Sequence, residues 1–318
     1  MAYSIKHVTT FRYKPAVRES VMEVRVQPRS DVRQRCLTFS LDVQPQANIM
    51  LYRDFLGNTV HHFDIPGSSE EIQVVTHSLV EVVLVPAPKA ADAGDWDELD
   101  ARIAGGDFWE MLLPSAFART TDELEKLAGE LNLTRRDNPL DLLYEMNTAV
   151  YQTFEYVPNS TAVDSPIDEA LKSRQGVCQD FAHIMIALVR KLKIPCRYVS
   201  GYLFHEAKGN DRSPAGATHA WVEAFLPELG WIGLDPTNNL ICGERHIRVA
   251  LGRDYADVPP TRGVYKGEAE SELSVQVTVS PVDSPEPEEL PPATVIRSRP
   301  LGNGTEPSFY DQQQQQQQ

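Results

Sequence analysis

A two-residue alternation of apolar and polar side chains runs through most of residues 2–84. It recurs in segments rich in β-branched and aromatic residues, which are separated by the Pro, Gly, Asn or Asp residues that turns favour. Alternate side chains of a strand point to opposite faces, so the pattern favours a sheet with one face in a core. We therefore expect residues 1–85 to form an antiparallel, β-sandwich-like N-terminal domain. The segments are YSIKHVTTFRY, SVMEVRVQP, RCLTFSLDVQP, NTVHHFDIP and EIQVVTHSLVEVVLV.

The composition changes abruptly after this region. Residues 86–95 are rich in Pro, Ala and Asp and are expected to form a linker. From residue 96 onward, helical patterns come first and period-two strands follow them. This order predicts a second domain, residues 96–280, with helices packed on an antiparallel sheet, so that the whole chain is α+β. Residues 281–318 are rich in Pro and Glu and end in a polyglutamine run, so a disordered tail is expected.

Charge and cysteine content narrow the range of functions. The chain has 30 Lys and Arg against 45 Asp and Glu, a formal charge of −15, which disfavours unaided binding to nucleic acid or an anionic membrane. No apolar run reaches the roughly eighteen residues of a membrane span, and the N-terminus lacks a basic region followed by an apolar core. We therefore expect a cytoplasmic protein. The four cysteines are widely scattered, which favours free thiols over a disulfide framework or a zinc ribbon.

One of these cysteines, Cys178, lies at the start of a predicted helix in the segment GVCQDFAHIMIALVRKLKIP. Apolar residues at helical spacing indicate that the helix is anchored in the core, and Pro195 ends it. Unpaired first-turn amides and the helix dipole favour a thiolate at this position, and the same amides can receive an oxyanion. Taken alone, however, a cysteine here is more often a small buried hydrophobic residue.

Two further residues follow on a predicted hairpin. His219 begins the strand in THAWVEAF, and Asp235 ends the strand in GWIGLD, just before a proline. If the loop between the strands has three residues, the register places both side chains on one face, opposite or diagonal to each other. A carboxylate beside an imidazole fixes its tautomer and stabilises its charged form, as the orienting residue of a catalytic triad does. Taken singly, His219 also fits an ordinary edge histidine, and Asp235 fits a residue that initiates a turn.

The three motifs occur together and in order, in GVCQDFAHIMIALVRKLKIPCRYVSGYL, THAWVE and GWIGLDPTNN. Together they resemble the core of the transglutaminase-like superfamily of papain-like cysteine enzymes, and the N-terminal β region resembles that of the superfamily's bacterial branch. The resemblance implies a Cys-His-Asp triad of Cys178, His219 and Asp235, in which Cys178 attacks a carboxamide or peptide carbonyl and forms a thioester. It implies no metal and no organic cofactor, and a peptide or protein as the substrate.

The resemblance leaves the fate of the thioester open, because water resolves it in a protease or amidase and an amine resolves it in a cross-linking enzyme. Animal transglutaminases have an aromatic residue after the cysteine and an upstream tryptophan that helps to hold the oxyanion. Here Gln179 follows the cysteine, Trp96 and Trp109 are too far upstream, and acidic calcium loops are not evident. We therefore expect hydrolysis. The alternatives are amine-dependent acyl transfer and a non-catalytic peptide-binding module on the same fold.

Other residues near these motifs receive no catalytic role from the sequence. Gln179 and Asp180 suit the first turn of any helix, and His183 points away from Cys178. Three aromatic residues could line an acyl pocket or merely pack: Trp221, Tyr202 and Tyr255. A zinc site is also conceivable but lacks the paired ligand spacing of structural sites; its ligands would be Cys178, His183, His219 and Cys242.

Overall fold

Strands dominate the first part of the chain, and a mixture of helices and strands follows. The structure, a computed structural model, describes residues 1–89, 93–136, 138–206 and 209–283, so residues 284–318 of the predicted tail lie outside the described residues. Among the described residues, no helix combines the length and the apolar composition needed to cross a bilayer. The strands are β1 (Ala2–Val24), β2 (Gln34–Gln44), β3 (Met50–Arg53), β4 (Thr59–Val82), β5 (Glu155–Tyr156), β6 (Gln175–Gly176), β7 (Cys196–Leu203), β8 (His219–Leu226), β9 (Gly230–Asp235), β10 (Leu240–Ile241), β11 (His246–Gly252), β12 (Thr261–Lys266) and β13 (Glu270–Val282). The helices are α1 (Trp96–Ala104), α2 (Trp109–Leu112), α3 (Asp122–Glu130), α4 (Pro139–Thr153), α5 (Ile167–Ser173) and α6 (Cys178–Lys191), and a short 3-10 helix spans Tyr255–Asp257.

β1 and β4 form the centre of a six-stranded antiparallel sheet. β2 and β3 pair with β4. The register between β1 and β4 breaks between Arg12 and Val17, and buried residues from both sides of this break pack in one apolar cluster. The sheet is therefore sandwich-like, since two parts of it share a core. The buried members of the cluster are Tyr13, Val17, Met22, Val24, Val26, Val43, Phe63, Ile65, Ile72 and Val74.

The last two strands, β12 and β13, belong to this N-terminal sheet. Both pair antiparallel with β1, β13 along residues 2–14 and β12 along residues 18–24. Residues 261–280 are therefore part of the N-terminal sheet and not of the second domain that the sequence predicts, and β13 continues to Val282, into the predicted tail. A two-residue alternation indicates which side chains of a strand share a face. It does not indicate to which sheet the strand belongs. The end predicted for the second domain, residue 280, therefore does not match the strand pairing, which places β12 and β13 in the N-terminal sheet.

The second sheet has five antiparallel strands in the order β10-β9-β8-β7-β11, and α6 packs against β7 and β8. Residues 179–190 of α6 are all buried, because this helix lies between the sheet and the helices α3, α4 and α5 that also contact it. The arrangement confirms the predicted α+β class, with helices packed on an antiparallel sheet.

Local capping explains where two of these helices begin. The Thr121 hydroxyl accepts a hydrogen bond from the Leu124 N–H at 3.2 Å before α3, and Asn138 accepts one from the Leu140 N–H at 2.8 Å before α4. Both caps satisfy amides that a helix start leaves without an intrahelical partner. The sequence therefore sets the start of α3 and α4 through local hydrogen bonds.

The edge of β11 that does not pair with β7 is covered by side chains from the N-terminal region. The amide of Gln34 donates to the Arg248 carbonyl and accepts from the Arg248 N–H, both at 2.8 Å. Asn58 makes the same two contacts with the backbone of Leu251, also both at 2.8 Å. Two side-chain amides thus act as a neighbouring strand would, and they fix β11 to the N-terminal region.

Candidate active site

Cys178 is the first residue of α6, and its side chain is partly exposed. Asp180 Oδ2 accepts hydrogen bonds from the Val177 N–H at 2.8 Å and from the Thr161 hydroxyl at 2.6 Å. A Cβ at Gly176 would lie 2.8 Å from the Cβ of Asp180, so this position requires glycine. These contacts hold the start of the helix rigidly and give Asp180 a structural role.

His219 and Asp235 lie on β8 and β9, which form a hairpin with the loop 227–229. Leu226 pairs with Gly230, and this register puts the two side chains on one face. Nε2 of His219 lies 2.8 Å from Oδ2 of Asp235. The two residues are 4% and 0% exposed, so the contact is shielded from solvent. The contact expected from a three-residue loop is present.

The carboxylate of Asp235 is buried and extensively hydrogen-bonded. Oδ1 accepts the backbone N–H groups of Thr237 at 3.0 Å and Asn238 at 3.2 Å. Oδ2 accepts from His219, from the side-chain amide of Asn238 at 2.8 Å and from Nε2 of His246 at 3.3 Å. Burial by itself raises the pKa of Asp235, but the two histidines outweigh it and hold the pKa well below its ordinary range. Asp235 is therefore anionic at neutral pH.

The contact between His219 and Asp235 also changes the protonation of His219. Burial alone would lower the pKa of the ring, but the charge and hydrogen bond of Asp235, together with Cys178, outweigh it and raise the pKa to about 10. Nε2 is engaged by Asp235, and the buried Nδ1 has no partner within ordinary hydrogen-bond limits among the described residues. Nδ1 is therefore the ring nitrogen that Asp235 does not engage.

Three tyrosine side chains also interact with Cys178. Burial is the main cause that raises the pKa values of Tyr156, Tyr198 and Tyr255, and Cys178 contributes to all three shifts. Tyr198 is 2% exposed, whereas the other two are partly exposed. Their hydroxyl groups therefore stay protonated at neutral pH.

The remaining residues that the sequence analysis left without a role have structural contacts. Trp221 is fully buried, and its ring lies 6.0 Å from that of His219, centroid to centroid. Tyr202 donates its hydroxyl to a backbone carbonyl of the N-terminal region at 3.2 Å. His183 is buried in the core, and its Nε2 accepts the backbone N–H of Tyr255 at 3.2 Å. Trp221 thus packs beside His219, whereas Tyr202 joins the second sheet to the N-terminal region.

The other three cysteines are poorly suited to form a thiolate. Burial raises the pKa of Cys36 to about 11 and that of Cys196 to about 12. Burial also raises the pKa of Cys242 well above its ordinary value. All four cysteines are free. Cys178 is thus set apart from them by its position at the start of α6 and beside His219.

Two residues of the hydrogen-bond network, Asn238 and His246, were not singled out from the sequence. Asn238 comes three residues after Asp235 in the DPTNN turn, and this spacing is typical of local side-chain to backbone contacts, so a signal for it existed. His246 begins β11, which is at the opposite edge of the sheet from β10. No local pattern connects His246 to Asp235, because only the folding of the chain brings them together.

A metal could in principle use part of this network. His219, Asp235 and His246 each bring one ligand-type atom within 4.8 Å of the others. However, Oδ2 of Asp235 accepts hydrogen bonds from both rings, so the nitrogen atoms that would bind a cation carry hydrogens in this arrangement. The geometry therefore fits a hydrogen-bonded network. Within the described part of the chain, the zinc ligands considered from the sequence do not form a cluster, since His183 contacts Tyr255 instead.

A cysteine at the start of a buried helix, packed against an antiparallel sheet with a histidine–aspartate pair, defines a protein of the papain-like class. The chain matches the transglutaminase-like superfamily over residues 126–236 and the bacterial transglutaminase-like N-terminal region over residues 3–81. An uncharacterized protein of Mycobacterium tuberculosis is 34% identical over 295 residues, which cover 88% of this chain and 93% of the relative. The chain belongs to the transglutaminase-like superfamily, which confirms the resemblance seen in the motifs.

Two further relatives bear on the chemistry. The crystal structure of a candidate cysteine protease from Cytophaga hutchinsonii superposes with a TM-score of 0.68 at 25% identity and covers 89% of this chain and 92% of that one. A protein-glutamine gamma-glutamyltransferase of Pseudomonas aeruginosa is 33% identical over 132 residues, which are 37% of this chain and 19% of the relative. The likeness to the first extends over nearly the whole fold, and the likeness to the second over part of it.

Proposed function

We propose that this protein is a cysteine hydrolase that cleaves a peptide or carboxamide bond through a thioester on Cys178. The observation that carries the proposal is the buried His219–Asp235 pair, with Nε2 and Oδ2 at 2.8 Å, whose second ring nitrogen is left for Cys178. In this assignment Cys178 is the nucleophile, His219 the general acid and base, and Asp235 the residue that orients His219.

The acylation step follows from an anionic Asp235 and a His219 ring with a raised pKa. In the resting site Nδ1 of His219 already holds the proton of Cys178, in keeping with the raised pKa of the ring, and the Cys178 thiolate forms a bond to the carbonyl carbon of the substrate. The carbonyl π electrons move to oxygen and give a tetrahedral oxyanion, which the amides at the start of α6 face. When the oxyanion collapses, the carbon–nitrogen bond breaks, and the imidazolium gives its proton to the leaving amine. The products are an amine and a thioester on Cys178.

Deacylation reverses the roles. A water molecule attacks the thioester carbon while neutral His219 accepts one of its protons. The carbon–sulfur bond then breaks, the sulfur leaves as a thiolate beside the protonated His219, and a carboxylic acid is released, which restores the starting pair. Throughout both steps Asp235 stays anionic and holds Nε2–H of His219, so Nδ1 keeps facing the reacting atoms.

Water as the acyl acceptor is supported by the extended likeness to the Cytophaga protein described as a candidate cysteine protease. The second candidate function is acyl transfer to an amine, which the partial likeness to the Pseudomonas glutamyltransferase favours. The two functions share the thioester and differ only in the second nucleophile. The same residues would therefore carry either one.

Alkylation with iodoacetamide tests the nucleophile without a known substrate. At about pH 7, we expect Cys178 to react at least about tenfold faster than Cys36, Cys196 and Cys242, because a thiolate is the reactive form. Peptide mass spectrometry measures the four rates separately, and the chain unfolded in concentrated guanidinium chloride, where the rates converge, is the control. Equal rates for all four thiols in the folded protein would contradict an activated Cys178.

A further inference from the structure

We propose that His246 is a positioning residue, which holds the carboxylate of Asp235 in the orientation that His219 requires. The inference rests on the proposed function, because it concerns the same Cys178 site. It adds a fourth side chain to the three named above. His246 does not touch the reacting sulfur, and it acts through Asp235.

The hydrogen bonds define the tautomer of His246. Its Nδ1 accepts the backbone N–H of Gly243 at 3.4 Å, so the hydrogen of a neutral ring lies on Nε2. Nε2 then donates to Oδ2 of Asp235 at 3.3 Å, the same oxygen that receives His219 at 2.8 Å. Burial lowers the pKa of His246 despite the nearby carboxylate, which keeps the ring neutral. The two histidines thus differ in charge although they share one acceptor atom.

This difference assigns distinct tasks to the two rings. A carboxylate oxygen can accept several hydrogen bonds, and each donor restricts the rotation of the carboxylate about its bond to Cβ. His246 supplies a donor that does not compete for a proton, since its neutral ring keeps its hydrogen while His219 cycles between charged and neutral forms. Oδ2 of Asp235 therefore stays directed at His219 in both forms.

His246 is itself held on two sides. β11 pairs with β7 through His246 and Leu203, and the Gln34 side chain fixes the opposite edge of β11 at Arg248. The ring of Trp221 packs edge-on against His246 with centroids 5.2 Å apart. A side chain fixed in this way can position another, because its own rotamer is not free to change.

Packing against Trp221 offers a purely structural explanation of His246, and two substitutions separate it from positioning. His246→Phe keeps an aromatic ring in the same space but removes the N–H donor. His246→Gln loses the ring but can place a side-chain N–H near the position of Nε2. A structural role predicts that the Phe variant is the milder one, and positioning predicts the reverse.

The test measures the alkylation rate of Cys178 by iodoacetamide at about pH 7 in the full chain. We expect His246→Phe to lower this rate about tenfold, as the loss of an outer partner of a functional residue commonly does, and His246→Gln to stay within about threefold of the wild type. His61→Phe, at a buried histidine of the N-terminal sheet, is the matched control and leaves the rate unchanged. A wild-type rate in His246→Phe, or an equal loss in His246→Gln, would overturn the proposal.

A second measurement separates this proposal from the proposed function and needs no variant to fold. Nitrogen-15 NMR of the histidine rings of the wild-type chain reports their tautomers directly. We expect His246 to be neutral with its hydrogen on Nε2, and a ring that is charged or carries its hydrogen only on Nδ1 contradicts positioning. If this tautomer is found while Cys178 is no more reactive than in Asp235→Asn, the proposed function fails and the geometry of His246 stands.

Discussion

His219 and Asp235 are 16 residues apart in the chain, and their Nε2 and Oδ2 atoms are 2.8 Å apart at the end of a hairpin. The three-residue loop 227–229 sets this distance, because the register it imposes keeps both side chains on one face. The contact is buried, so its electrostatic effect is weakly screened. The protonation of His219 depends on this pair, and so does the reactivity that we propose for Cys178.

Disrupting the pair is expected to slow alkylation of Cys178. His219→Gln and Asp235→Asn each remove the ionic partner of the site, and a free thiol without such a partner is only a few per cent thiolate at neutral pH, so the rate should fall by about tenfold or more. Iodoacetamide kinetics followed by mass spectrometry measure the effect. Asp42→Asn, on β2 of the N-terminal sheet, is the control and should react like the wild type. An unchanged rate in both triad variants would exclude activation by the pair.

The stabilising effect of His219 is expected to depend on pH. Its pKa is raised to about 10 in the folded chain, so the stabilisation is fully present below about pH 6.5, the ordinary histidine value, and is lost as pH rises toward 10. Urea unfolding of the wild type and His219→Gln at several pH values measures the difference in the free energy of unfolding, which should shrink over this range.

His61→Gln is the control for this titration. Burial lowers the pKa of His61, so its ring is neutral above about pH 7. The loss in the free energy of unfolding caused by His61→Gln should therefore stay constant from there to about pH 10. If the loss in the free energy of unfolding caused by His219→Gln grows with pH, His219 is not held as an imidazolium.

Cys178→Ala is expected to abolish turnover while leaving the fold intact. The substitution removes the nucleophile from a partly exposed position at the start of α6, so loss of stability should be small. New peptide termini in a digested cell extract, detected by mass spectrometry, measure hydrolysis. Cys242→Ala is the matched control and should retain activity. If Cys178→Ala were as active as the wild type, Cys178 would be excluded as the nucleophile. If the wild type bound peptides without cleaving them, a non-catalytic binding module would be favoured.

The acyl acceptor is expected to be water. If a labelled primary amine is added to the active enzyme at millimolar concentration, most of the acyl product should still be the free acid, because hydrolysis is the proposed reaction. Mass spectrometry distinguishes the acid from the amide. A product that is mainly the labelled amide would favour the acyl transfer suggested by the Pseudomonas relative.

The docking of the N-terminal region on β11 is expected to be energetically important. Gln34→Leu removes the side-chain acceptor of the Arg248 N–H at a position that is 1% exposed, whereas the Arg248 carbonyl keeps the N–H of Arg29 at 3.0 Å. The loss should cost about 1–3 kcal/mol in the free energy of unfolding. Gln73→Leu, which removes one amide contact with Thr10, is the control and should cost less than about 1 kcal/mol. Urea denaturation measures both, and equal losses would argue against a special role of Gln34.

Local patterns in the sequence predicted the position of Cys178 at the start of a helix and the contact of His219 with Asp235. A helix start and a short hairpin are defined by neighbouring residues, so spacing and parity are sufficient to place these side chains. Asn238 belongs to the same local turn and was within reach of similar reasoning. The α+β class followed from the order of the helical and alternating segments.

The tertiary structure alone decided which sheet takes up β12 and β13, how Gln34 covers the edge of β11, and that His246 shares the carboxylate of Asp235. The first two join segments far apart in the chain, and His246 and Asp235, although 11 residues apart, lie on strands that are not neighbours in the sheet. The pattern within a segment carries no information about such a partner. Periodicity determined which face of each strand is buried, and only packing of the whole chain determined what that face meets.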